Sequence, residues 1–244
     1  LTRGCKYRCG FCEYGNVCGG RYREKDWELV KSQIDAISQE TKCINFLSAN
    51  LGAYSKIDTL LTYCCEKDIN VANSDITIND FWKIHPYLGK LKMTTVKIGV
   101  ESFSEKTRFS INKRITDKQV MDVVMGSIEE CSYFHFYLIY GLPNDDYSEW
   151  FKKVKELGDL RRSVTHKKLR FEFSITNFEP CRGTPLQCET PIDFKKKEEF
   201  LKEWVNVLKE NGFMKRDREV TYATCRGRFG RKENSYQLLM ALKT

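Results

Sequence analysis

Long apolar runs are missing from this 244-residue chain. None approaches the roughly 18 apolar residues of a membrane span, and the best candidate, FHFYLIYGL from Phe134 to Leu142, is interrupted and strand-like. No signal peptide is visible in the first residues. No low-complexity segment or Pro/Gly-rich linker divides the chain, whose length suits one large domain or two small ones. A membrane partner is not expected, and the expected location is the cytoplasm.

Cysteine, in contrast, is abundant, with eleven in the chain. Their number is odd and their spacing irregular, which argues against a disulfide framework and for reduced thiols. Cys43, Cys64, Cys65 and Cys131 fall in apolar or helical contexts and read as small buried hydrophobes. The net charge of +8 is scattered. Its densest stretch is RGRFGRK, Arg226–Lys232, which reads either as a solvated face or as a contact for phosphates, nucleic acid above all.

Strand-like and helix-like runs alternate along the chain. Strands are expected at Cys43–Asn50, Ile69–Asp75, Thr95–Ser102, Phe134–Leu142 and Leu169–Phe178. Helices are expected at Tyr54–Lys67, Asp117–Cys131 with Thr116 as N-cap, Tyr147–Leu160, and Phe194–Asn211 closed by Gly212. This alternation predicts βαβ units and a parallel sheet. Right-handed crossovers then gather the strand C-terminal ends on one face. Ser48, Asn50, Asn73, Ser74, Asp75, Glu101, Tyr137 and Asn177 are the polar residues expected at that mouth.

Cys5, Cys9 and Cys12 lie within eight residues, in CKYRCGFC. Structural zinc takes four ligands, usually as two close pairs, and a second CxxC is absent. Cys18 is available as a fourth ligand, so a zinc site in a noncatalytic nucleic-acid-binding module stays open. A [4Fe–4S] cluster held by three thiolates would instead leave one iron open to a substrate or cofactor.

CKYRCGFC resembles the CxxxCxφC signature of the radical S-adenosylmethionine (SAM) superfamily, with Phe11 as the aromatic φ. GVESF (Gly99–Phe103), LIYGLP (Leu138–Pro143) and FSITNFEPCRGTPL (Phe173–Leu186) resemble later landmarks of the same superfamily, in the same order. The branch they resemble contains cobalamin-dependent enzymes, tRNA methylthiotransferases and coproporphyrinogen dehydrogenases. The fold this resemblance implies is α/β, a partial (β/α)6 TIM-type barrel. In the family the cluster loop follows the first strand, and Leu1 begins almost at that loop, so the fragment is expected to lack that strand. The barrel is assigned to residues 1–190, with 191–244 a helix and strand extension packed on it.

The resemblance also implies roles. Cys5, Cys9 and Cys12 would ligate the cluster, whose open iron would chelate SAM. Ser48 and Asn50 lie where relatives bind the SAM amino group, and Ser74 lies at the next strand end. Glu101 lies where relatives contact the ribose. Lys113 or Arg114 falls where relatives carry a base for the SAM carboxylate. Phe11 and Phe178 would lie beside adenine. Tyr137 departs from the aspartate of heme-pathway relatives, which puts ribose contact by that strand in doubt. Arg21 and Arg23 are candidate anion clamps, Lys6 and Arg8 a candidate contact for an electron donor such as flavodoxin or ferredoxin, and Cys181, Cys188 and Cys225 a candidate second site. The reaction implied first is cobalamin-dependent methyl transfer or rearrangement, with cobalamin as a further cofactor; tRNA modification is the alternative, with tRNA as the partner.

Overall fold

Parallel strands, each backed by a helix, organise the computed structural model, which describes residues 1–18, 21–72, 76–190 and 192–213. The chain enters through β1 (Thr2–Arg3), antiparallel to β2 (Arg23–Glu24), with the cysteine loop between them. Helix α1 (Trp27–Ser38) starts at Asp26, whose carboxylate accepts the backbone N–H groups of Glu28 and Leu29. Then come β3 (Cys43–Ile44), α2 (Ile57–Glu66) and β4 (Asn70–Val71), with β3 and β4 parallel. Helix α3 (Phe81–Ile84) leads to β5 (Thr95–Glu101), and α4 (Glu105–Ser110) and α5 (Asp117–Gly126) lead to β6 (Tyr133–Tyr140). The chain continues through α6 (Tyr147–Ser163), β7 (Arg170–Asn177) and α7 (Phe194–Glu210).

The β5–β6–β7 sheet is fully parallel and carries most of the regular pairing. One face packs against helices. In-register pairs Phe134–Phe171 and Phe136–Phe173 stack at 5.3 and 5.7 Å between ring centres. Trp150 of α6 and Phe200 and Trp204 of α7 close over them, and both tryptophans are at most 1% exposed. The opposite face looks into the barrel. Its rows are polar: Lys97, His135 and Glu172 in one, Gly99, Tyr137 and Ser174 in the next. Barrel interiors are ordinarily filled by packed apolar layers. Here His135 Nε2 and Ser174 Oγ are hydrogen-bonded at 2.7 Å, and Tyr133 donates to Glu172.

Expected and observed elements differ mainly in the first half. The strand expected over Cys43–Asn50 forms ladder bonds at Cys43–Ile44, and a short 3₁₀ turn follows at Leu51–Ala53. Ser48 explains the early end. Its hydroxyl bonds the Asn50 backbone on both sides, donating to O at 2.9 Å and accepting from N at 3.2 Å, which turns the chain out of the sheet. Helix α5 ends at Gly126 rather than Cys131, but Thr116 caps it with a reciprocal bond to Gln119. Helix α7 ends as expected, with Gly212 left-handed at φ 72° and its N–H on Lys209 O. Helices α1, α3 and α4 fall where the sequence pattern predicts none. The strand expected in the C-terminal extension, Cys225 and the RGRFGRK stretch lie outside the described residues.

Candidate functional site

The cysteine loop is short and tied at many points. Cys12 N–H bonds Cys9 O at 3.0 Å, and Asn16 Nδ2 donates to Cys9 O and Cys12 O at 2.9 and 2.8 Å. A single-turn π-helix, Tyr14–Cys18, follows. At Gly15 a Cβ would stand 2.5 Å from Tyr7 O, so only glycine lets the loop fold back this closely. Backbone bonds then clamp Gly10 between two distant segments, N–H to Ile111 O at 2.7 Å and O to Leu186 N at 3.2 Å. Asn112 Nδ2 adds a bond to Arg8 O at 2.8 Å. These ties carry Lys113 to the thiols.

Cys5, Cys9 and Cys12 are partly buried free thiols. Burial pushes the Cys9 thiol up to about 11; Lys113 opposes this, while Glu101 and the other two thiols reinforce it. Burial pushes the Cys5 thiol up as well, and such thiols become thiolates readily when a cationic cluster takes their protons' place. Among the described residues, no three His, Cys, Asp or Glu side chains are grouped to hold a single metal ion. A four-iron cube takes its thiolates on separate irons. The donor set therefore fits a [4Fe–4S] cluster.

Beside the thiols lies a buried ion pair. Lys113 Nζ meets Glu101 Oε1 at 2.7 Å, with side chains 12% and 16% exposed. Burial opposes the Lys113 charge, but Glu101, Cys9 and Cys12 outweigh it and hold the ammonium above its usual range. Of the two adjacent bases, Lys113 turns inward and Arg114 is exposed. Glu101 ends β5 with a left-handed φ of 65°, at a bulge that shifts the pairing with β6. Gly99 makes room for the pair, since a Cβ there would lie 3.1 Å from Glu101 Oε1 and 3.4 Å from Lys113 Nζ.

Phe178 lies in an apolar cluster with Ile111, Ile139 and Leu142, and Phe11 packs against that cluster. Phe178 is 2% exposed within it. Asn50 is used internally: Nδ2 donates to Asp80 Oδ2 at 2.6 Å and Oδ1 accepts from Thr77 N at 3.1 Å. Ser48 bonds Thr2 Oγ1 at 2.7 Å at the loop entrance. Tyr137 faces the barrel and stacks on His135 at 4.3 Å. Ser74 lies outside the described residues, and so does the Cys18 side chain. Arg21 and Arg23 are exposed, whereas Tyr22 between them donates to Ala53 O at 2.8 Å. Lys6 reaches the same carbonyl at 2.7 Å and lies over the Tyr22 ring. Cys181 bonds Glu179 O, and Cys188 is exposed.

Asp80 escaped the sequence reading. It is 7% exposed and accepts from Tyr7 Oη (2.8 Å), Asn50 Nδ2 (2.6 Å) and Lys83 Nζ (2.6 Å). Burial pushes its carboxyl up, but bonds from Lys83, Tyr7 and Asn50 win and hold it below its ordinary range. It thus pins the cysteine loop, through Tyr7, to the β3 end. Residues 7, 50 and 80 share no periodicity, so no local signal joins them.

A three-thiol loop beside the strand ends of a partial α/β barrel, flanked by a nearly buried carboxylate–ammonium pair, is a donor set suited to an iron–sulfur enzyme. The family model of the radical SAM superfamily matches residues 1–157. The chain belongs to that superfamily, whose members use a [4Fe–4S] cluster and SAM. Among solved structures, the radical SAM methyltransferase TsrM from Kitasatospora setae, with cobalamin and a [4Fe–4S] cluster bound, matches with a TM-score of 0.60 and 14% identity over 77% of this chain and 38% of its own. The radical SAM coproporphyrinogen III oxidase HemN from Escherichia coli matches at 0.56 and 16% identity, over 86% of this chain and 51% of its own. SuiB from Streptococcus suis, bound to SAM, matches at 0.56 and 17% identity, over 86% and 47%. The chain thus spans about half the length of these structures or less, and they establish the partial barrel fold. No curated protein matches the chain. Among the described residues, no helix is long and apolar enough to cross a membrane.

Proposed function

We propose that this protein cleaves SAM reductively to generate a 5′-deoxyadenosyl radical, and that it uses the radical in a cobalamin-dependent methyl transfer or rearrangement. The observation that carries the first part is the placement of Cys5, Cys9 and Cys12 beside the Glu101–Lys113 pair. When bound, the reduced cluster supplies the electron that splits the sulfonium C–S bond, leaving methionine and the radical. The electron comes from a carrier such as flavodoxin or ferredoxin.

The residues of this chain bind and orient. Cys5, Cys9 and Cys12 would hold the cluster as thiolates. Glu101 accepts the ribose hydroxyls of SAM, Lys113 pairs with that carboxylate and attracts the SAM carboxylate, and Phe11 and Phe178 wall the adenine side. The Ser48–Asn50 turn lies toward the amino group. The polar rows of Lys97, Tyr137, His135 and Ser174 face the substrate within the barrel. The cobalamin assignment is favoured by the fold likeness to TsrM, whose structure has cobalamin and a [4Fe–4S] cluster bound. The basic balance of +8 favours a second reading, modification of tRNA.

Anoxic reconstitution tests the proposal. The expected result is about four irons and four sulfides per chain, with 5′-deoxyadenosine formed from SAM on reduction. Tight binding of methylcobalamin by the full-length protein supports the first reaction class, and copurifying tRNA supports the second. A protein that gains its full iron and sulfide yet leaves SAM intact under reduction contradicts the proposal.

A further inference from the structure

The residue after Glu101 is held more firmly than a loop position requires. Ser102 is fully buried, and its hydroxyl is the centre of three hydrogen bonds. It donates to Asp145 Oδ1 at 2.6 Å and accepts from Ser104 N at 2.9 Å and Trp150 Nε1 at 3.1 Å. Its backbone oxygen takes a fourth bond, from Arg108 Nη1 at 2.9 Å. Arg108 and Trp150 are themselves fully buried. Elements α4 and α6 therefore grip the peptide that follows the left-handed Glu101. A non-glycine residue keeps such a conformation only where its surroundings over-determine it.

Asp145 is the odd member of this set. It follows the LIYGLP turn, and no role falls to it so far. Its Oδ2 is a buried atom without a hydrogen-bond partner among the described residues. Burial pushes its carboxyl up to about 6, against bonds from Ser102, Thr107 and Trp150; Thr107 eases the charge although its hydroxyl lies outside hydrogen-bond geometry. The groups around it are Ser102 at the end of β5, Thr107 and Arg108 of α4, and Asp146, Tyr147 and Trp150 at the start of α6. The Arg108 guanidinium is spent on Ser102 O, Ile115 O and Asp117, so it does not neutralise Asp145 directly. A poorly compensated buried carboxylate is expensive, and such groups concentrate where function needs them.

An ionised carboxylate can only accept. It forces the Ser102 proton toward itself and leaves the serine lone pairs for Ser104 N–H and Trp150 Nε1–H. That direction fixes the turn, and the turn fixes Glu101.

We propose that Asp145, acting through Ser102, is a positioning residue that holds Glu101 in its SAM-binding conformation. The proposal rests on the reading of Glu101 given above. It extends the SAM site to a residue that would not touch SAM.

The test compares SAM dissociation constants, by equilibrium dialysis on the anoxically reconstituted protein, for Asp145→Leu, Asp145→Asn, Ser102→Ala and Glu101→Ala. The electron paramagnetic resonance spectrum of the reduced cluster without SAM is recorded for each. Asp145→Leu and Ser102→Ala are expected to weaken SAM tenfold or more while the SAM-free spectrum stays unchanged. Asp145→Asn keeps an acceptor for Ser102 and offers Thr107 a donor, so it should stay within about threefold of the parent. A merely structural role would not be rescued in this way at constant cluster spectrum. Should Asp145→Leu fail to hold its cluster, Ser102→Ala, which removes one hydroxyl, decides the matter. Weakened binding in Glu101→Ala with parental binding in Ser102→Ala overturns the proposal alone. Parental binding in Glu101→Ala overturns the reading of Glu101 and this proposal with it.

Discussion

Replacing Lys113 by methionine removes one end of a nearly buried ion pair and keeps the length of the side chain. Glu101 would be left 16% exposed, without the ammonium now 2.7 Å away. Removing one partner of a fully buried pair costs about 3–5 kcal/mol, because the remaining charge stays desolvated. Some exposure remains here, which places the expected loss near the lower end, about 3 kcal/mol. A urea slope of about 2–3 kcal/mol per molar converts this to a midpoint lower by about 1 M. The double variant Lys113→Met/Glu101→Gln removes both charges and should recover most of the loss. The assay is urea unfolding of the cluster-free protein under reducing, anoxic conditions, followed by circular dichroism. A single-variant loss under about 1 kcal/mol, or a double variant no better than the single, would refute the picture of a buried, mutually dependent pair.

Four further outcomes follow from the geometry. Cys9→Ala should lose bound iron and all SAM cleavage while its far-ultraviolet circular dichroism matches the parent, since among the described residues the Cys9 thiol makes no hydrogen bond. Glu101→Ala should weaken SAM by roughly 1–3 kcal/mol, the loss of one or two hydrogen bonds to a charged acceptor, measured as a dissociation constant. Gly15→Ala puts a Cβ 2.5 Å from Tyr7 O, so the loop must shift; lower iron occupancy after reconstitution is the expected result, and parental occupancy would count against the tight turn. The Asp145 carboxyl rises from 3.8 to about 6 on folding, so the folded state holds its proton more tightly than the unfolded one. Its penalty on stability is absent below about pH 4, grows as pH rises, and reaches roughly 3 kcal/mol above about pH 6. Asp145→Asn should therefore stabilise the protein at pH 7 and leave it nearly unchanged at pH 4, read from thermal unfolding at both.

Periodicity and caps made the second half of the chain legible. The phenylalanines of β6 and β7 alternate with polar residues, Thr116 and Gln119 box the start of α5, and Gly212 closes α7. The early strands were overdrawn because extended sequence and ladder pairing are different things: Ser48 bends the chain by bonding its own neighbourhood, a choice that apolar pattern does not record. Within the site, the three cysteines stand out by spacing, which leaves zinc and an iron–sulfur cluster both open until the resemblance to a family is added. The pairing of Lys113 with Glu101 does not stand out, because twelve residues of loop and helix decide which of two adjacent bases faces inward. Asp80 and Asp145 were invisible for a related reason. Each works through partners that are distant in sequence, and a lone aspartate in a polar stretch looks like solvated surface until the fold buries it.

The central claim is that three cysteines hold an iron–sulfur cube whose remaining iron is open to SAM. The measurement that meets it head-on is the electron paramagnetic resonance spectrum of the reduced, anoxically reconstituted protein before and after SAM is added. A cubane signal whose g values move on addition of SAM is the result this account predicts. A protein that takes up one zinc in place of iron, with Cys18 completing a tetrahedral site and no response to SAM, would contradict it.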